Sequence, residues 1–105
     1  MKPLEGVKIL DFSHGVAGPF GTMLLADLGA DVVKIEKPGR GDVSRYMNMS
    51  KRFGQDIPRS GGDYFLTVNR GKRCLALDLA VPEGKAIALD LGKWADVVVQ
   101  SFRPG

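Results

Sequence analysis

The sequence is poor in the residues that build disulfides and metal sites. Its 105 residues include one cysteine, one histidine and one tryptophan. The single cysteine, Cys74, cannot form an internal disulfide, which fits a reducing cytoplasm. One histidine, one cysteine and scattered acidic residues form no ligand cluster, so we predict no metal site.

Long apolar runs are also missing. No stretch approaches the roughly 18 consecutive apolar residues of a membrane span, so we predict no membrane-spanning segment. The opening residues MKPLEGVKILDF contain no long apolar stretch ahead of a small-residue cleavage site, so no secretory signal is expected. The composition, 44% hydrophobic and 26% charged, is typical of one small soluble domain. We therefore expect a cytoplasmic protein.

Positive charge is concentrated in one part of the chain. The net charge is +3, but residues 37–59 alone carry six basic and two acidic side chains, an excess of +4. Most of this stretch lies in a segment, 38–62, that has no hydrophobic period and is predicted to be a long basic loop. Such a loop is either simply solvated or lies near an anionic ligand or partner, and the sequence leaves both open.

Apolar runs and helical periods alternate along the chain. Nearly continuous apolar runs predict four strands, at 7–13, 31–37, 73–79 and 96–102. Helical spacing predicts helices at 19–29 and 82–95, while 63–71 is ambiguous and compatible with a short helix ending at Gly71. This order predicts an α/β fold with a parallel sheet, whose strands are joined by right-handed crossovers.

Local signals place the ends and the buried face of the two longer helices. Pro19 is predicted at the first position of the first helix, and Gly29 just after its end. In the second helix, one apolar stripe is formed by Ile87, Leu91, Trp94 and Ala95. Two helices hardly cover both faces of four parallel strands, so we expect an incomplete domain, the front part of a larger one.

The stretch DFSHGVAGPFG connects the first strand to the first helix. Gly15, Gly18 and Gly21 give the spacing G-x-x-G-x-x-G rather than the G-x-G-x-x-G of a dinucleotide fold. Glu36 nevertheless mimics the ribose-binding acid of that fold. A small-residue turn before a helix presents backbone N–H groups to anions, but Pro19 removes one donor. Two interpretations stay open, a phosphate-binding turn and a purely structural corner.

Candidate chemical groups stand at the predicted carboxyl edge of the sheet, where α/β folds bind ligands. His14 is either a hydrogen-bonded structural residue or a general base. Asp11 and Asp78 end apolar strands and either cap turns or face a ligand. Cys74 is predicted to pack as a small apolar group within its strand. The basic turn NRGKR, at 69–73, is either solvated or a phosphate contact.

Several ordered motifs resemble the class III coenzyme A transferases. They are PLEGVKILDFSHGVAGPFGTMLLADLGADVVKIEKPGRGDVSR, NRGKRCLALDL, PEGKAIALDL and ADVVVQSFRPG, and together they cover almost the whole chain. That family includes formyl-CoA:oxalate and carnitine CoA-transferases and the related alpha-methylacyl-CoA racemases. The resemblance implies a Rossmann-like parallel sheet with flanking helices. Residues 1–105 would then form only the first βαβ units of the large domain.

The resemblance also implies a coenzyme A site at the carboxyl edge of this sheet. The residues that match its lining are His14, Val16, Ala17, Lys37, Leu77, Asp78, Ser101, Phe102 and Arg103. Ser101 replaces an asparagine common in relatives, and Val16 replaces a glutamine of the oxalate enzyme, so the acyl acceptor is not identified. The pyrophosphate and 3′-phosphate of coenzyme A would explain the basic loop.

The chemistry of the family needs a residue that the resemblance does not place in this chain. An aspartate carboxylate attacks the acyl-CoA thioester, and coenzyme A passes through an aspartyl-CoA thioester to an acceptor carboxylate. That aspartate lies downstream of FRPG in the family, so we assign no catalytic residue and expect the chain alone to be inactive. The implied partners are an acyl-CoA and a carboxylic acid, without nucleic acid or membrane, and a homo-oligomer is expected.

Two alternatives stand beside a CoA-transferase fragment. One is a free-standing module that binds coenzyme A or a nucleotide, and the other is a fragment of an alpha-methylacyl-CoA racemase. The stretch DFSHGVAGPFG is more similar to the transferase branch. The expected cofactor is coenzyme A, acting as the acyl-CoA substrate, without a metal.

Overall fold

The computed structural model describes residues 1–46 and 62–104, which alternate strands and helices. The strands are β1 (Lys8–Asp11), β2 (Asp31–Glu36), β3 (Arg73–Ala76) and β4 (Val97–Val99). The helices are α1 (Ala17–Asp27), α2 (Asp63–Val68) and α3 (Pro82–Trp94), with a 3₁₀ turn at Val43–Tyr46. Most of the predicted long loop, residues 47–61, lies outside the described residues.

The four strands form one parallel sheet in the order β3-β2-β1-β4. Ile9 is paired with Val32 on one side and with Val97 on the other, so β1 is a central strand. The predicted α/β class and the Rossmann-like parallel sheet are confirmed. The apolar residues of β1 and β2 are buried in these central positions, while Lys8 and Asp31, the first residues of the two strands, are exposed.

Each face of the sheet is covered by one helix. Because successive strand residues point to opposite faces, neighbours in β1 enter different clusters. On one face, Leu10 joins a core against which α3 packs Ala88, Leu91 and Trp94. On the other face, Ile9 and Val32 pack against Leu25 and Ala26 of α1. Leu91, Trp94 and Ala95 of the predicted stripe are confirmed as packing residues, but Ile87 is 46% exposed.

The edge strands are more exposed than their sequences suggest. All four residues of β3 are exposed, and so are Val97 and Val98 of β4. Burial of Cys74 as a small apolar group was therefore a wrong prediction, because an edge strand has a neighbour on one side only. The expected homo-oligomer stays a prediction.

Helix α1 begins two residues earlier than its proline suggests. The first helical bond runs from Phe20 N to Val16 O at 2.8 Å, so Pro19 is the third helical residue rather than the first. Its missing N–H costs no bond there, because the first turn has no acceptor for it. The predicted stop is confirmed, since Gly29 has φ +106° and donates to Ala26 O at 2.9 Å.

Within residues 1–46 and 62–104, no helix combines the length and the apolar character needed to cross a bilayer.

Candidate functional site

An open cleft of about 800 Å³ lies beyond the carboxyl ends of the strands. Its lining residues share one feature, which is that they follow a strand in the chain. They are Phe12 and His14 after β1, Lys37, Pro38 and Arg40–Val43 after β2, Leu77–Ala80 after β3 and Phe102 after β4, with Ile35 and Glu36 from the end of β2. Parallel α/β sheets bind ligands at this edge, so the cleft is the candidate site.

The structure brings five of the nine predicted site residues together in the cleft. They are His14, Lys37, Leu77, Asp78 and Phe102. The other four, Val16, Ala17, Ser101 and Arg103, are exposed but are not part of this lining. Ser101 lies close by, because its Oγ accepts a long hydrogen bond of 3.4 Å from His14 N.

Three rings form an aromatic group at the cleft. The Phe102 ring centroid lies 6.1 Å from that of Phe12 and 6.1 Å from that of His14. Sequence reasoning missed Phe12, since it reads as one more apolar residue of the first strand. The grouping arises because β4 pairs directly with β1, which places the residues after the two strands side by side.

Cations line the cleft on the segment after β2. Lys37 and Arg40 are both exposed there. The Arg40 guanidinium carbon lies 5.2 Å from the Tyr46 ring centroid, and the Tyr46 hydroxyl donates to Arg40 O at 2.8 Å. The sequence predicts Arg40 only as one cation of the basic loop, since nothing local distinguishes it from the loop's other cations. The two charges make this wall attractive to anions.

The turn between β1 and α1 is closed by its own side-chain acceptors. Three successive backbone amides donate to side chains. The Ser13 amide donates to Asp11 Oδ1 at 2.8 Å, and the His14 amide to Ser101 Oγ at 3.4 Å. The Gly15 amide donates to Asp42 Oδ1 at 3.0 Å. A phosphate at this turn would have to displace two carboxylates. The geometry therefore favours the structural corner over a phosphate-binding turn. The cleft's cations are better placed for an anion.

Gly18 is required at this corner by space rather than by backbone freedom. A Cβ built on it would lie 2.5 Å from Ser13 Cβ and 3.0 Å from Ser13 Oγ. Gly21, by contrast, has nothing within 4 Å of the same position. Of the three glycines, Gly18 alone thus reflects the close approach of α1 to the turn that precedes it.

A buried ion pair lies beneath the cleft. Lys34 Nζ is 2.7 Å from Asp42 Oδ2, and their side chains are 0% and 1% exposed. Burial alone would raise the pKa of Asp42, but the bonds from Lys34, Ser44 and Gly15 outweigh it and hold the pKa below 3.8. Sequence reasoning missed this pair. The available signal was a lysine inside the otherwise apolar run DVVKIE.

A second buried pair joins β1 to the segment before β3. Asp11 Oδ2 accepts from Lys72 Nζ at 3.0 Å and from Thr22 Oγ1 at 2.6 Å, and the Asp11 and Lys72 side chains are fully buried. Burial would raise the pKa of Asp11, but hydrogen bonds from Ser13 and Thr22 and the charge of Lys72 hold it below 3.8. Burial lowers the pKa of Lys72 below 10.5. Within the NRGKR turn, the Lys72 side chain is thus buried, while the Arg70 and Arg73 side chains are exposed, and a phosphate contact by this turn stays a prediction.

Both strand-end aspartates cap turns. Asp11 accepts from the amide two residues on, and Asp78 Oδ1 does the same with Ala80 N at 2.9 Å. Asp78 additionally lines the cleft. The turn-capping interpretation is confirmed for both residues.

Glu36 is held by an arginine rather than left open for a ribose. Its two carboxylate oxygens accept from Arg45 Nε and NH2, both at 2.8 Å. The Arg45 guanidinium in turn stacks on the Phe65 ring at 3.6 Å, which ties α2 to the 3₁₀ turn. Burial would raise the pKa of Glu36, but the Arg45 fork and the Asp42 amide hold it below 4.5.

Comparison with known proteins identifies relatives over the whole chain. The model of the family described as CoA-transferase family III matches residues 4–105. Succinyl-CoA:glutarate CoA-transferase of Mus musculus is 45% identical over 105 residues, which are 100% of this chain and 23% of that protein. Formyl-CoA:oxalate CoA-transferase of Bradyrhizobium sp. (strain ORS 278) is 47% identical over 104 residues, 99% and 23% of the two chains.

Solved structures agree with the fold. A hypothetical protein, Rv3272, from Mycobacterium tuberculosis superposes with a TM-score of 0.82 at 42% identity, covering 100% of this chain and 26% of its own. A CAIB/BAIF family protein from Brucella suis superposes with a TM-score of 0.84 at 35% identity, covering 96% and 26%. The chain thus spans about a quarter of the length of the relatives it matches.

Proposed function

The chain belongs to CoA-transferase family III, and from this premise we propose that its cleft is part of a coenzyme A site in an enzyme that transfers coenzyme A between carboxylic acids. The observation that carries the proposal is the combination of an aromatic group with two exposed cations at the carboxyl edge of the sheet. Coenzyme A offers an adenine ring to the first and phosphates to the second.

The proposed lining keeps the residues named from the sequence and adds two. Lys37 and Arg40 would contact phosphate, while the rings of His14, Phe12 and Phe102 would pack against apolar or aromatic parts of the ligand. Leu77 and Asp78 would close the cleft on the β3 side. Val16, Ala17, Ser101 and Arg103 are proposed to contact parts of the ligand that extend beyond this cleft.

The proposed reaction uses a carboxylate nucleophile that this chain does not supply. An enzyme aspartate would attack the acyl-CoA thioester, forming a mixed anhydride and expelling the coenzyme A thiolate. The thiolate would then attack the aspartyl carbonyl of the anhydride, which gives the aspartyl-CoA thioester and releases the donor carboxylate. The acceptor carboxylate would take coenzyme A by the same two steps in reverse, and the aspartate would be freed. The side chains of Asp11 and Asp42 are buried, and each is paired with a buried lysine. A carboxylate held in this way is a poor nucleophile, which supports the assignment of no catalytic residue here.

A racemase fragment and a free-standing binding module are the two alternatives to a transferase fragment. The two named relatives are both transferases, which favours a transferase over a racemase for the longer protein. A free-standing coenzyme A-binding module is the second candidate, because His14, Lys37 and Phe102 already meet in one cleft of this chain. We keep the predicted cytoplasmic location as part of the proposal.

Coenzyme A should bind to the 105-residue chain with a sub-millimolar Kd in calorimetry, and Lys37→Ala should weaken binding about tenfold or more. The reason is the loss of one charge-assisted phosphate contact, about 1.5–3 kcal/mol. The matched control is Lys85→Ala, which removes an exposed lysine of α3 outside the cleft. Equal weakening by both substitutions would reduce Lys37 to a nonspecific charge, and no binding by the wild type would remove the module candidate.

We expect no transferase turnover from the same purified chain. Succinyl-CoA would be incubated with a panel of carboxylic acids, and acyl-CoA products would be separated by chromatography. Since the chain is proposed to lack the nucleophile, product should not rise above the enzyme-free rate. Turnover proportional to chain concentration would contradict that part of the proposal.

A further inference from the structure

We propose that Asp42 is a positioning residue that fixes the two walls of the cleft relative to each other. One wall is the turn after β1, which carries His14, and the other is the segment after β2, which carries Lys37 and Arg40. The inference rests on the proposed function, because the relative position of the two walls matters only if a ligand such as coenzyme A binds between them. Asp42 itself lies beneath the surface, with its side chain 1% exposed.

The carboxylate of Asp42 connects to the first wall at two points. Its Oδ1 accepts the Gly15 amide at 3.0 Å. Its Oδ2 is paired at 2.7 Å with Lys34 Nζ, which also donates to Ser13 O at 2.8 Å. His14 lies between the two residues held in this way, so its backbone is fixed from both sides.

Asp42 also organises the second wall. Its Oδ1 accepts from Ser44 N at 2.8 Å and from Ser44 Oγ at 2.9 Å, while its own amide donates to Glu36 Oε1 at 3.0 Å. The residues between Glu36 and Asp42, which include both cleft cations, are thereby closed into a loop. The same carboxylate therefore joins the imidazole side of the cleft to its cationic side.

Stability alone is a weak explanation for this arrangement. A buried ion pair is often replaceable by apolar residues of similar size without loss of stability. An apolar pair at positions 34 and 42 would fill the space but would leave the Gly15 amide without its acceptor. The positioning role therefore resides in the acceptor oxygen of Asp42 rather than in the charge of the pair.

Two uncharged double variants separate these roles without any ligand. Lys34→Met/Asp42→Asn keeps an acceptor oxygen for Gly15, whereas Lys34→Met/Asp42→Leu removes it, and both lack the ion pair. Amide hydrogen exchange by NMR should be about tenfold or more faster at Gly15 in the leucine variant than in the asparagine variant. Exchange at Leu10, in the central strand β1, gives the global stability of each variant. Equal Gly15 exchange after this correction would overturn the proposal. If the leucine variant does not fold, Asp42→Ser in the same Lys34→Met background replaces it, since serine is too short to reach Gly15.

A second experiment measures whether the position of the two cleft walls affects the affinity for coenzyme A. Coenzyme A should bind the variant without the acceptor about tenfold more weakly than the asparagine variant, since both lack the Lys34 contact to Ser13 O and differ only in the acceptor for Gly15. Ile9→Ala, in the core on the other face, controls for lost stability and should leave the Kd of the folded fraction unchanged. Equal Kd values for the two double variants would also overturn the proposal. If the wild type does not bind coenzyme A, the module candidate fails, while the exchange result still decides the role of Asp42.

Discussion

Replacing Gly84 by alanine will lower the free energy of unfolding by about 3 kcal/mol, the upper range for an overpacked core. A Cβ at Gly84 would lie 1.7 Å from the carbonyl oxygen of Asp78 and 2.7 Å from its carbonyl carbon. Both are backbone atoms, so no side-chain rotation relieves the contact. Either α3 must move away from the core or the turn after β3 must open. Urea denaturation followed by circular dichroism measures the effect.

Gly92→Ala is the matched control, because it makes the same change in the same helix. Nothing lies within 4 Å of a Cβ at Gly92. Alanine is favoured over glycine in a helix by about 0.8–1 kcal/mol, so this variant should be slightly more stable than the wild type. Similar destabilisation by both substitutions would show that the close approach of Gly84 to Asp78 does not matter.

Lys72→Met should destabilise the chain by about 3–5 kcal/mol at neutral pH, the usual cost of removing one partner of a buried ion pair. The substitution fills similar space but leaves the buried Asp11 carboxylate without its cation. The double variant Asp11→Asn/Lys72→Met removes both charges and should recover part of the loss. Thermal and urea unfolding of the wild type, the single variant and the double variant measures both the loss of stability and its recovery.

The pH dependence of the free energy of unfolding tests whether the lost charge of Lys72 causes this destabilisation. In the wild type the pKa of Asp11 is below 3.8, so Asp11 stabilises the fold at neutral pH, and this is lost as pH falls through the folded pKa. Without Lys72, burial raises that pKa and the gain at neutral pH shrinks or reverses. The difference between wild type and Lys72→Met should therefore be largest at neutral pH and decrease as pH falls below about 4. A difference independent of pH would mean that lost packing, not charge, explains the variant.

The pattern of strands and helices could be predicted from the sequence because it depends on local signals. Continuous apolar runs and helical spacing indicated every strand and both longer helices, and Gly29 marked the end of α1 correctly. The exact ends of the strands were harder to predict. Strand β1 ends at Asp11 because the Asp11 carboxylate accepts a hydrogen bond from the Ser13 amide and turns the chain. The exposure of β3 and β4 was missed because strand order is a property of the whole chain.

The candidate site was predictable only in part, for a related reason. The residues after each strand were expected at one edge of the sheet, and five of them, His14, Lys37, Leu77, Asp78 and Phe102, line one cleft there. Their contact with coenzyme A stays a proposal. The buried lysines were not predicted. The apolar run DVVKIE marks Lys34 as unusual, but Lys72 carries no such local signal. The acidic partners of both lysines, Asp42 and Asp11, are identified only by long-range pairing.

The position of β1 at the centre of the sheet has a consequence for the order in which the chain can condense. Its neighbour β2 is close in sequence, with Lys8 facing Asp31, but its neighbour β4 is nearly four times as far, with Lys8 bonded to Asp96 across 88 positions. Closing the larger loop costs about 1 kcal/mol more in chain entropy. The β1–β2 pair is therefore the cheaper first contact. The aromatic side of the cleft, where Phe102 meets Phe12 and His14, therefore depends on closure of the larger loop.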